Sequence, residues 1–234
     1  MGAIYRREMQ AFFISGIAYV FLAVFFLFSG IFFFNGVLGM GTSEVSAMFS
    51  SMFIIVLFLI PILTMKLMSE EKKNRTDQGL LTAPVGLWSI VLGKYFAALT
   101  LFAIAEAIVF IYALILGYLG NVIWSTLIGN YIAMLFLGAA FIAVGLFISS
   151  LTENQMAAAV ASMLALFMLY LMDSLARNVK NATVSKIMTS LSFYSRYLEF
   201  TRGVFSLSSI VFFVSAAFLF NFLTVRVLDK RRWG

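Results

Sequence analysis

The chain contains no cysteine and no histidine. The first absence excludes a disulfide framework, a thiolate nucleophile and a sulfur-ligated metal. The second removes the commonest general base and the commonest metal ligand, and with them any Ser-His arrangement. Charged residues make up only 11% of the 234 positions, where a water-soluble domain carries about 25%. The acidic residues form no cluster that reads as a metal site. Asp173 is the only aspartate near an apolar run, which disfavours proteolysis by paired aspartates. A phosphate-cradling loop needs G-x-x-x-x-G-K followed by Ser or Thr. Here six residues separate Gly86 from Gly93-Lys94, and Tyr95 follows the lysine. No catalytic, cofactor-binding or metal-binding residue is therefore expected, and the chain does not read as an enzyme.

What is present is oil: 63% of the residues are hydrophobic. That much apolar surface cannot be hidden in a water-soluble fold, so the class is all-α integral membrane protein. A crossing helix needs about 20 mostly apolar residues, and uncharged runs locate six. Span one lies within Met9–Ser43, at 13–35, and is read as a retained helix because its run far exceeds a signal-peptide core. Span two is 45–65. Span three is 95–118, interrupted only by Glu106. Span four ends at Ser150, span five is 154–172 and span six is 203–225. With an inner N-terminus, the inner segments hold eleven Lys and Arg and the outer segments five. That bias places both termini in the cytoplasm and explains the net charge of +6 without nucleic acid.

Three polar stretches stand outside the spans. In residues 1–12, Tyr5, Met9 and Phe12 share one helical face and Arg6, Arg7 and Gln10 another, the pattern of a helix lying in the membrane interface. Residues 174–203 alternate short apolar and polar groups, which suits either two short helices dipping into the outer leaflet or a surface loop. Tyr194, Arg196, Tyr197 and Arg202 in that stretch read either as a headgroup grip or as anchors. The third is 68–89. Six charged residues fall in the eleven positions from Ser69 to Gly79, followed by exposed apolar Leu80, Leu81, Val85 and Leu87. Apolar groups stranded on a polar loop indicate a docking surface. Thr76 or Asp77 is positioned to cap a short transverse helix, Pro84 suits the first turn of the next one, and Trp88 and Lys94 are expected at the inner interface.

The stretch EEKKNRTDQGLLTAPVGLWSIVLGKYFAAL resembles the E-E-x-K-x-x-T-x-[EQ]-x-L-L-T-x-P-V…G-K stretch of ABC-2 type transporter permeases, most closely a gliding-motility-associated branch. The opening YRREMQAFF, the segment GLFISSLTENQ, and the closing SRYLEFTRGVF and VLDKRRW recur in the same order, so the resemblance covers nearly the whole chain. Arg75 and Gly79 depart from the family's usual small residue and leucine. The resemblance implies one permease domain over 1–234 with a type V exporter-like fold of six spans. It implies pairing with a second permease chain, identical or different, and docking on a separate ABC ATP-binding subunit that holds ATP and Mg. A coupling helix around Glu70, Glu71, Thr76, Asp77, Gln78, Leu80, Leu81 and Pro84 would contact that subunit. Thr152, Glu153, Asn154 and Gln155 would make a second contact. The implied location is the bacterial inner membrane.

Glu106 lies deep in span three, where an ionisable group costs several kcal/mol unless paired, protonated or wet. Either it gates or touches cargo, or it is a neutral acid bonded to a neighbouring helix. Gly138, Ala139, Ala143 and Gly145, with Ala157–Ala159 and Ala161, are expected to let spans four and five approach closely, and a route for cargo is expected at the seam between paired chains, near spans one, two and five. A self-contained carrier would show inverted repeats and broken helices, which the sequence lacks; a membrane anchor for a motility or assembly complex is the other rival.

Overall fold

The computed structural model describes residues 1–76, 79, 85–120, 122–178, 181–201 and 206–233. Nearly all of this is helix, and no strand occurs among the described residues. An N-terminal helix α1 (Gly2–Ile14) precedes span one, which is α2 (Ile17–Phe32) running into a π-helical turn at Phe33–Leu38. Span two is α3 (Ser46–Thr64), prolonged by α4 (Lys66–Lys73). Span three is α5 (Leu87–Glu106) followed by α6 (Ile108–Leu119). Span four is α7 (Trp124–Leu151) and span five is α8 (Gln155–Asn178). Two short helices, α9 (Ala182–Ser190) and α10 (Phe193–Thr201), lead to span six, α11 (Leu207–Trp233). Among the described residues, six helices are thus long and apolar enough to cross a membrane, in the order the uncharged runs predict.

The helices outrun the apolar runs. Span two continues eight residues past its last uncharged turn as α4, and span three begins at Leu87 instead of Tyr95. A helix goes on through charged residues when neighbours satisfy its backbone and side chains, and both do so here. Span one is turned out of α1 at Gly16, whose φ of +75° lies in the left-handed region where glycine alone carries no Cβ penalty. The elbow is sharp because of that residue.

Span four is the hub. Two-thirds of its apolar window is buried, against 22% for span five and 28% for spans one and six. Small residues set this up. A Cβ on Gly138 would fall 2.2 Å from Phe102 Cε1 of span three, and one on Gly145 would fall 2.2 Å from Thr64 Oγ1 of span two. The glycines therefore fit span four to spans two and three, not to span five as the alanine-rich pattern predicts. Of the alanines on span five, Ala158 and Ala159 are buried while Ala157 and Ala161 face outward.

The stretch between spans five and six forms helices, not a surface loop. Ser192 caps α10 by accepting the Ser195 N–H at 3.2 Å, which satisfies a donor the helix leaves open. Tyr197 is fully buried and donates its hydroxyl to Phe49 O at 3.0 Å. Phe53 centres an aromatic cluster with Phe141, Tyr170, Tyr194 and Tyr197, all with centroids 5.1–5.7 Å from its own. Tyr194 and Tyr197 are thus packing residues. Arg196 donates to Ser208 Oγ at 2.7 Å and lies over Phe212, tying α10 to α11. Arg202 lies outside the described residues.

Candidate functional site

The bundle end that carries α1 also holds α4, the start of α5, the α7–α8 turn and the end of α11. There span two is divided at Met65, where α3 ends and α4 begins, although Met65 keeps helical dihedrals (φ −54°, ψ −34°) and donates its N–H to Pro61 O at 2.9 Å. Ser149 of α7 bridges the division. Its hydroxyl donates to Met65 O at 2.9 Å and accepts the N–H groups of Met68 and Ser69, each at 3.2 Å. One oxygen so serves both sides of the division, and α4 is fixed to both α3 and span four. Thr64 against Gly145, one turn away, closes the same seam.

A second tie joins α4 to α1 and α5. Lys94 is 1% exposed, and its Nζ lies 2.9 Å from Glu8 Oε1 and 3.0 Å from Glu71 Oε1. Arg7 bridges the same two carboxylates from the solvent side. Burial works against the Arg7 charge, but its hydrogen bond to Glu8 and the Glu71 charge outweigh it and hold the guanidinium above its ordinary pKa. Gly93 makes the approach feasible: a Cβ there would lie 3.0 Å from Ile4 Cγ2, so α1 settles directly on α5. Lys94 is therefore not the interfacial marker the sequence predicts but the buried centre of a four-member ion cluster. The cluster's one signal in the sequence is positional. Glu8 occupies an otherwise apolar face beside Phe12, and Lys94 stands alone within an apolar run.

Helix α4 ends in a Schellman turn. Thr76 N donates to Glu71 O at 2.9 Å and Arg75 N to Lys72 O at 3.2 Å, with Arg75 in the left-handed region at φ +56°. Glycine is usual at that position. The Thr76 hydroxyl bonds back to Glu71 O at 3.3 Å, so it helps to close α4. Glu70 and Glu71 are half-buried on α4, while Lys73 through Thr76 are exposed. Asp77, Gln78, Leu80, Leu81 and Pro84 lie outside the described residues. Trp88 stacks on Phe218 of span six at 6.0 Å.

The α7–α8 turn holds Thr152 to Gln155 beside α4. Asn154 Oδ1 accepts from Met156 N at 3.0 Å and Ala157 N at 3.3 Å, capping span five. Glu153 and Asn154 are exposed. The carbonyls that α7 leaves open at its end are taken by cations, Lys72 on Leu151 O at 3.4 Å and Arg231 on Ser150 O, the arrangement a helix C-terminus favours. Glu106 is elsewhere. It ends α5, one residue before the chain resumes as α6, and is fully buried with neither carboxyl oxygen hydrogen-bonded among the described residues. The hydrogen-bonded neighbour expected for it is not found there.

This geometry, an interfacial helix clamped to the bases of spans two and three beside a short polar turn, coincides with a family match. A family model, described as ABC-2 family transporter protein, matches residues 3–226. The chain belongs to the ABC-2 transporter family. It is a multi-pass membrane permease, and its six apolar helices are that family's transmembrane spans. The match is to the family at large and does not single out the motility-associated branch. No curated protein matches the permease.

Proposed function

We infer that this permease is the membrane half of an ATP-driven exporter in a bacterial inner membrane, with both termini in the cytoplasm. Two permease chains pair, and each takes its force from a separate ATP-binding subunit that holds ATP and Mg. We read the permease as nearest the motility-associated branch, on the likeness of its sequence motifs to that branch's. The observation that carries the reading is the double fastening of α4, by Ser149 to span four and by Glu71–Lys94–Glu8 to α5 and α1. A push on the segment beyond Lys73 would be delivered at once to the bases of spans one, two, three and four. Because Glu70 and Glu71 are turned toward α1, the described surface left to meet the ATPase is Lys73 through Thr76, with Glu153 and Asn154 as the second contact. The bare sides of spans one and five suit a seam between paired chains.

The absence of cysteine makes the test direct, since an introduced thiol has no background. Arg75→Cys in the assembled complex should react with a membrane-impermeant maleimide only from the cytoplasmic side, and should cross-link to the ATP-binding subunit. Labelling from the periplasmic side, or copurification of no ATPase together with transport by the permease alone, would remove this reading in favour of a self-contained carrier.

A further inference from the structure

A crevice of about 450 Å³ lies in the crook where α1 turns into α2 and meets α4. Its walls are mostly apolar, among them Phe12, Ile14, Ile17 and Leu67, and Ile14 is 85% exposed beside it. Two charged residues of α4, Lys66 and Glu70, line it. They stand one turn apart on one helix face. Both are half-buried, and neither side chain has a hydrogen-bond or ion-pair partner among the described residues. The order Lys then Glu along a helix is the poorer one for pairing with each other. The other charges at the crevice, Arg7 and Glu8, are already committed to the Lys94 cluster.

Depth narrows what fills it. The uncharged stretch from Ser46 to Met65 rises about 30 Å, the thickness of a bilayer's hydrocarbon core. Lys66 therefore starts where hydrocarbon ends, at headgroup level. A ligand here meets one cation and one anion side by side, with apolar side chains leading from them toward the lipid.

We propose that this crevice binds a phosphoethanolamine-headed lipid, its phosphate on Lys66 and its ammonium on Glu70. The two-carbon link between phosphate and ammonium spans neighbouring side chains of one helix turn, and the acyl chains run down Ile14 and Ile17. An anionic glycerol headgroup offers Glu70 only neutral hydroxyl donors and no cation. A choline headgroup offers Glu70 no N–H donor. The proposal does not depend on which way the permease faces or on its ATPase.

Native mass spectrometry of the full-length protein, purified and given equal amounts of phosphatidylethanolamine, phosphatidylcholine and phosphatidylglycerol with matched chains, reads this directly. Wild type should retain the ethanolamine lipid about three- to tenfold over the other two, the range expected for a charge-assisted hydrogen bond at a partly wet site. Glu70→Gln should erase the preference, and Lys66→Gln should lower retention of all three. Soluble phosphoethanolamine should not compete, because it lacks the chains that the apolar wall needs. Equal retention of the three lipids by wild type, an undiminished preference in Glu70→Gln, or competition by the soluble headgroup would each overturn the assignment. The wild-type comparison needs no variant to fold.

Discussion

The Lys94 ammonium is 2.9 Å from the Glu8 carboxylate, although 86 positions of sequence separate them. The pair joins the interfacial helix to the base of span three, and Glu71 draws span two into the same contact. Lys94→Met removes the buried cation and leaves Glu8 and Glu71 with the half-exposed Arg7. Breaking a buried pair from one side costs about 3–5 kcal/mol, and the lower end applies because the carboxylates are 11% and 16% exposed. Thermal unfolding in detergent should show a clear drop in Tm. Adding Arg7→Gln, Glu8→Gln and Glu71→Gln to Lys94→Met should recover much of it, since the neutral cluster carries no desolvated charge.

Ser149→Ala removes the acceptor of two backbone N–H groups and the donor to Met65 O. Leaving such groups without partners costs about 1–3 kcal/mol. Hydrogen exchange should accelerate at Met68 and Ser69 specifically, with little change in the first half of span two.

Gly145→Ala should be worse than an ordinary glycine-to-alanine change in a helix. The new methyl meets Thr64 Oγ1 at 2.2 Å and Thr64 Cβ at 2.9 Å, and the second atom cannot rotate away. Overpacking of this kind costs about 1–3 kcal/mol. Combining it with Thr64→Ala should restore part of the stability, which denaturation of the double variant checks.

Arg75→Gly should stabilise the end of α4. A left-handed residue bearing a side chain costs about 1–2 kcal/mol, and glycine returns some of that as unfolded-state entropy. A net gain of about 0.5–1 kcal/mol is expected, visible as slower exchange at the Thr76 amide.

Glu106→Met should raise Tm, because replacing a buried polar group that lacks partners with an apolar one of similar shape is neutral or stabilising. A fall in Tm would mean that the carboxyl has a partner in the working protein. Transport measured alongside ATP hydrolysis then tells whether the residue touches cargo.

The spans were legible in the sequence because absence of charge over about 20 residues has one physical meaning in a bilayer. Their ends were not. Span two runs on through Lys66–Lys73 because Ser149 and Lys94, both distant in sequence, satisfy its backbone and its acid. The polar stretch after span two was conspicuous, but the roles within it were not: Glu71 looked like a residue for a partner and is bound inside the chain. Thr76 also closes the helix before it, a role its sequence does not signal. Gly93-Lys94 failed as a phosphate loop, and the reason those residues stand there is the close seat of α1. Each case turns on a contact between segments far apart in the chain, which local periodicity does not encode.

The joint at Met65 has a consequence for how the molecule can move. Because a single hydroxyl answers three backbone groups there, the lower piece of span two cannot swivel a little and lose a little. It keeps all of its latches or surrenders them together. Any slide of α4 past span four therefore has to give up the contacts at Met65, Met68 and Ser69 in one step.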